Sequence, residues 1–191
     1  MIVMVVSAIA DTEATQRPPK NENDDGKIAI EDAMFLYDND GNHDGLILTL
    51  DKGAAIDSKN EYGNTALILA SHQGNLECIR LLLNKNANIY YSNSEGVTAL
   101  HAATAKGHLD CVRLLLDKNA DINVMDHHGM TALSVAIAKD NLECTRLLLD
   151  RHAYIDEHLA LIVNPKCKKM LSDESSDRHR RAAFDAFIKL S

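Results

Sequence analysis

Gly96-Val97-Thr98-Ala99-Leu100-His101-Ala102-Ala103 decides the fold, because its frame returns 33 residues earlier and 33 residues later. Gly63-Asn64-Thr65-Ala66-Leu67 precedes it, and Gly129-Met130-Thr131-Ala132-Leu133 follows it. Two further markers keep the same step. One is the isoleucine series Ile56, Ile89, Ile122, Ile155, and the other is the triplets Leu81-Leu82-Leu83, Leu114-Leu115-Leu116 and Leu147-Leu148-Leu149. Three independent markers on one period describe one helix–turn–helix plus a turn, stacked on copies of itself. In such a one-dimensional array the surface, rather than a cavity, is the working part.

Each copy carries its own start and stop signals. Thr65, Thr98 and Thr131 precede apolar helical stretches and are placed to N-cap a first helix. Gly74 and Gly107 break the chain between two helices, where a positive φ is cheap for glycine; the third copy has Asp140 there, a poorer choice. A second helix runs from about Leu76, Leu109 or Leu142 through the leucine triplet, with apolar residues at helical spacing.

The frame Gly-x-Thr-Ala-Leu, then Leu-x-Cys-x-Arg-Leu-Leu-Leu, then a closing Ala-x-Ile resembles the ankyrin repeat. The best copy runs from Gly96 through Gly107-His108-Leu109 to Asn119-Ala120-Asp121-Ile122-Asn123. The resemblance is strong over 58–156 and implies an all-α solenoid of stacked helix–turn–helix units with short β-hairpin tips. Where the family has Pro after the capping Thr, this chain has Ala66, Ala99 and Ala132. Alanine keeps the helix but sets its start less rigidly. The resemblance also gives His101 a structural role, hydrogen-bonding backbone between neighbouring repeats; Ile68 and Ser134 stand in its place in the other copies.

This register divides the chain. Residues 1–27 read as a disordered arm, with Pro18-Pro19 and the polar run Asn21 to Asp25. Residues 28–57 form a degenerate N-terminal capping repeat, in which Ala33-Met34 underlies Ala66-Leu67 and Leu48-Thr49-Leu50 underlies the leucine triplet. Full repeats follow at 58–90, 91–123 and 124–156. The pattern then stops, since Ile162 stands where Gly is due. Residues 157–191 read as a helical C-terminal cap, with Ala182, Ala183, Phe184, Phe187, Ile188 and Leu190 on a helix of about 176–190. Terminal repeats are atypical because one of their faces meets water.

Composition narrows the function classes. Aromatic residues are 4% and Trp is absent, so the core is aliphatic. The net charge of −8 offers no basic footprint for nucleic acid. Three of the four cysteines, Cys78, Cys111 and Cys144, obey the repeat. Stacked helices lie about 8–10 Å apart, beyond the Cα separation of about 7 Å that a disulfide tolerates. These thiols therefore read as small buried hydrophobes in a reducing compartment. Met1 to Ala10 holds a short apolar run ending Ala8-Ile9-Ala10, which imitates a signal-peptidase site without a basic leading region. No segment is long enough for a membrane span. The expectation is a cytoplasmic protein, with secretion as the alternative.

Two constellations invite metal. Asp40, Asn42, Asp44 and Asp51 occupy positions 1, 3, 5 and 12 of a loop that resembles an EF-hand, with Gly45 at position 6. Two features oppose it: position 12 is Asp rather than the longer Glu, and the stretch aligns without gaps to the helix–turn–helix of later repeats. The nine histidines include His127-His128, His152 and His158, but no spacing matches a zinc pattern. No phosphate loop, nucleophile elbow or metal-ligand helix supports an enzyme.

The expected function is binding of another protein as an adaptor, without cofactor or catalysis, by a monomer. The resemblance places the partner on the concave face made by hairpin tips and first helices. Residues that vary while the scaffold stays fixed are the contact candidates. At the tips they are Lys59, Tyr90, Tyr91, Ser92 and Met125. Before each Gly they are Glu61, Tyr62, Glu95, His127 and His128. At the ends of the first helices they are His72, Gln73, Lys106 and Lys139. Exposed Tyr62, Tyr91 and Met125 would form an amphipathic hot spot; alternatively the rings only pack on the adjacent tip. Two other functions stay open: an inhibitory module that covers an enzyme partner, and a calcium-responsive protein using residues 40–51.

Overall fold

In the computed structural model, residues 55–154 are described. Within them six helices alternate as first and second members of three hairpins: α1 (Ala66–Gln73), α2 (Leu76–Asn84), α3 (Ala99–Lys106), α4 (Leu109–Asp117), α5 (Ala132–Ala138) and α6 (Leu142–Asp150). First helices pack on first helices and second helices on second helices, giving two parallel layers. The arm at 1–27, the loop at 40–51 with Asp40, Asn42, Asp44 and Asp51, almost all of the degenerate repeat and the C-terminal cap lie outside the described residues.

The expected caps form. Thr65, Thr98 and Thr131 each accept a hydrogen bond from the backbone N–H three residues on. Gly74 and Gly107 end α1 and α3 at φ 78° and 77°, in the left-handed region. Asp140 takes the same turn at φ 56°, the more strained solution for a residue with a Cβ. Asn75 and Asn141 cap their second helices through Oδ1. His108 holds that register without capping, and its Nε2 instead donates to the His72 carbonyl at 3.2 Å. It therefore ties the second repeat to the first. The ring lies against Gly74, where a Cβ would sit 2.6 Å from His108 Cε1.

The core lies between the layers and is aliphatic, as the composition requires. Leu67, Ile79, Leu82, Leu100, Leu115, Leu133 and Leu148 are fully buried. Cys78, Cys111 and Cys144 are buried and unbridged. Burial, with a neighbouring carboxylate second, pushes the Cys111 and Cys144 thiols up to about 11. They stay protonated at neutral pH and act as hydrophobes.

Two first-helix hydroxyls differ in how they are satisfied. Ser71 Oγ donates to the Leu67 carbonyl at 2.7 Å. Thr104, in the same register, buries Oγ1 with no hydrogen-bond partner among the described residues. An orphaned buried hydroxyl costs about 1–3 kcal/mol. Thr104→Val keeps the shape and removes the orphan, so it should raise unfolding free energy by about 1 kcal/mol in urea titrations.

Candidate functional site

The tips are built by one device used three times. Asn60, Asn93 and Asp126 each turn Oδ1 back onto two backbone N–H groups, those of Tyr62 and Asn64, Glu95 and Val97, and His128 and Met130. Such side-chain turns hold a loop without a strand ladder. The expected β-hairpins accordingly contract, among the described residues, to a single antiparallel bridge between Ser92 and Thr98. Successive tips are joined by backbone bonds. Ser94 N–H donates to the Tyr62 carbonyl at 3.1 Å, and His127 N–H to the Glu95 carbonyl at 3.0 Å. The tip backbone is thus committed to the scaffold, and the side chains of Glu61, Tyr62, Ser94, Glu95, His127 and His128 are left exposed.

His101 anchors the second repeat beneath its tip. The ring is buried, and Nε2 lies 3.0 Å from the Met130 carbonyl of the next repeat. A carbonyl only accepts, so Nε2 carries the proton. Nδ1 is then the acceptor, 3.3 Å from Thr98 N and 2.9 Å from Thr98 Oγ1. A proton on Nδ1 would face the Thr98 N–H, donor against donor. Desolvation is the largest influence and lowers the pKa below the ordinary 6.5, although the Met130 carbonyl and Asp126 pull the other way. The folded state therefore binds this proton less readily than the unfolded state. The stability His101 confers is complete above pH 6.5 and is lost as pH falls from 6.5 through the lower folded value. Chemical denaturation from pH 7.5 to 5 should show this decline, and the His101→Gln variant should show a shallower one. Ser134, in the His101 register, bonds among the described residues only within its own repeat, to Thr131.

Among the described residues, the exposed large apolar side chains are Tyr62 (50%), Tyr90 (63%), Tyr91 (40%), Met125 (50%) and Tyr154 (65%). They lie on tips and the turns leading into them, and the second helices carry none. Tyr91 is partly engaged: Lys59 Nζ lies 5.1 Å from its ring centroid and donates to the Ser92 carbonyl at 2.9 Å. The tip-packing alternative thus describes Tyr91 in part, while the Tyr62 and Met125 side chains stay half-exposed.

Tyr90 occupies a position with a structural duty elsewhere. In its register Asp57 Oδ1 accepts from Asn88 N–H at 2.9 Å, and Asn123 Oδ1 accepts from Tyr154 N–H at 2.8 Å. Each bond ties one repeat to the next. Tyr90 stands between these two and supplies no equivalent bond to Asp121. The junction gives up a tie and gains an exposed ring. Tyr154 was not among the sequence candidates. Its signal was a tyrosine in the register of Asn88 and Asp121.

The remaining candidates divide by surroundings. His128 Nε2 and Glu95 Oε2 face each other at 3.5 Å across neighbouring tips, a pair that is ionic only when the imidazole is protonated. His127 is exposed beside Gly96. Gln73, Lys106 and Lys139 are exposed at the ends of α1, α3 and α5, and His72 is half-buried. No group of three or more His, Cys, Asp or Glu able to hold a metal occurs among the described residues. No described helix is long and apolar enough to cross a membrane.

A family model described as ankyrin repeats matches residues 34–126 and 93–159, with three copies. No curated protein matches the chain.

Proposed function

Because the chain belongs to the ankyrin-repeat family, whose repeats are in general protein–protein interaction modules, we propose that it is an adaptor that grips one protein partner. The contact face is the row of tips together with the ends of the first helices. The observation that carries this reading is Tyr90. A register position used elsewhere to tie repeats together is given to an exposed ring, so the ring serves something other than the fold. Tyr62, Tyr91 and Met125 extend the same exposed edge, and a fixed tip backbone presents them at low entropic cost. Tyrosine suits this work, since its ring contributes area and its hydroxyl a hydrogen bond. The proposed adaptor is monomeric, cytoplasmic and non-catalytic, and it needs no cofactor.

Photo-crosslinking tests the face. A photoreactive residue is placed at Tyr62, Tyr90 or Met125, and in controls at Arg80 or Arg113 on the second helices. Cross-links to one protein from the tip positions alone are the expected result. Equal yield from the second-helix positions would refute the assignment.

A further inference from the structure

The first-helix layer is set apart by charge. The chain has net charge −8, yet α1, α3 and α5 contain no Asp or Glu. Among the described residues, the only Lys or Arg on this layer are Lys106 in the last turn of α3 and Lys139 directly after α5, one repeat apart in register. Both are exposed, and neither ammonium group takes part in an ion pair or hydrogen bond among the described residues. Several cations elsewhere are engaged. Arg80 pairs with Glu77, Arg151 pairs with Asp117 of the preceding repeat, and Lys59 is held by Ser92 and Tyr91. Among the described residues, the acidic side chains lie on tips, turns and second helices. The carboxylate nearest in sequence is Asp140, which is half-buried and already has an interaction of its own. The contact face thus carries two ammonium groups without a side-chain partner among the described residues at its helix ends, and the exposed rings together with the Glu61 and Glu95 carboxylates on its tips.

From this juxtaposition we infer that the partner presents an acidic segment with apolar residues beside its carboxylates, laid across the repeats so that one carboxylate meets Lys106 and another meets Lys139. The inference rests on the tip-and-first-helix reading of function and specifies the chemistry of its ligand. Charge complementarity favours this occupant, because a basic segment would meet two like charges at the helix ends. Two ammonium groups neutralise too few phosphates to hold nucleic acid against the charge of the whole chain. Neighbouring repeats are about 10 Å apart. The two carboxylates are therefore about three residues apart in an extended segment or about seven in a helix. A lysine at a helix C-terminus also offsets the helix dipole, so stability must be measured beside binding.

The test is selection of a displayed random-peptide library on the full-length protein. Binding of the enriched peptides is then measured against Lys106→Glu/Lys139→Glu, against Arg113→Glu/Lys118→Glu as a charge-matched control, and against Tyr62→Ala/Tyr91→Ala/Met125→Ala. Thermal melts check that each variant folds. The expected outcome is enrichment of acidic peptides with interspersed apolar residues. Their affinity should fall about tenfold or more in the Lys106/Lys139 variant and stay within about twofold in the control. Enrichment of neutral or basic peptides, failure to enrich any peptide, or equal binding to the Lys106/Lys139 variant overturns the proposal. Peptides lost in the Tyr62/Tyr91/Met125 variant but kept in the Lys106/Lys139 variant overturn it while sparing the contact face. Peptides unaffected by both overturn the contact face as well. A single-stranded oligonucleotide bound by the wild type and lost in the Lys106/Lys139 variant would assign the two lysines to a nucleic acid instead.

Discussion

Replacing Leu115 with Ala should lower unfolding free energy by about 3–4 kcal/mol, the range for a fully enclosed leucine whose surroundings collapse only partly. Leu115 is fully buried in the last turn of α4. That helix packs on α2 below and α6 above. In a nearest-neighbour stack, weakening the central unit uncouples its two flanks. Urea unfolding should therefore show a lower midpoint and a shallower or biphasic transition, since the slope follows the surface exposed in one cooperative step. Leu116→Ala, one position on, is the natural control. Leu116 is only partly buried, and its loss should be about half as large. Equal effects at the two positions would mean that the register of the second helices is wrong.

Gly96→Ala should cost about 3 kcal/mol, and Gly129→Ala only about 1–2 kcal/mol. The two residues share a left-handed backbone, at φ 77° and 75°, so the conformational penalty of a Cβ is the same for both. They differ in what lies above them. A Cβ on Gly96 would sit 2.9 Å from His127 N and 3.1 Å from Asp126 Cα, backbone atoms of the next tip. That same N–H closes the tip-to-tip bond to Glu95, so relieving the clash stretches the bond. A Cβ on Gly129 would meet nothing within 4 Å among the described residues. The difference between the variants, read from paired denaturation curves, isolates the contribution of tip stacking. Equal losses would mean that the tips do not bear on one another.

These two sites also show what the residues disclosed and what they withheld. Thr98, Gly107 and the leucine triplets carry local signals, a cap, a left-handed turn and helical spacing, and each was legible from its own neighbourhood. The helices fall where those signals put them. Apart from His101, whose tie to the next repeat the resemblance implied, features that depend on pairs of residues about a repeat apart were not legible. His108 sits at an N-cap register, yet it reaches back to His72. Its ring gains more from the neighbouring repeat than from its own helix. The tips read as β-hairpins, but Asn60, Asn93 and Asp126 satisfy the loop N–H groups that a longer ladder would use. Tyr90 was a tip candidate beside Tyr91. Only its alignment with Asp57 and Asn123 in space reveals the bond it omits. For the candidate face, the sequence identified which residues vary. The structure separates Tyr91, partly covered by Lys59, from Tyr90, Tyr62 and Met125, and it adds Tyr154.

The proposed adaptor role rests on the division between a tip backbone committed to the scaffold and exposed tip side chains. Affinity capture from a lysate of the source cells, with cross-linking and mass spectrometry, tests that division most directly. Wild type is run beside Tyr62→Ala/Tyr91→Ala/Met125→Ala and a second-helix control, Arg80→Ala/Arg113→Ala, with circular dichroism on all three. The account predicts one stoichiometric protein partner held by wild type and control, lost from the tip variant, with helicity unchanged throughout. A partner retained by the tip variant, or lost from the second-helix control, would contradict it.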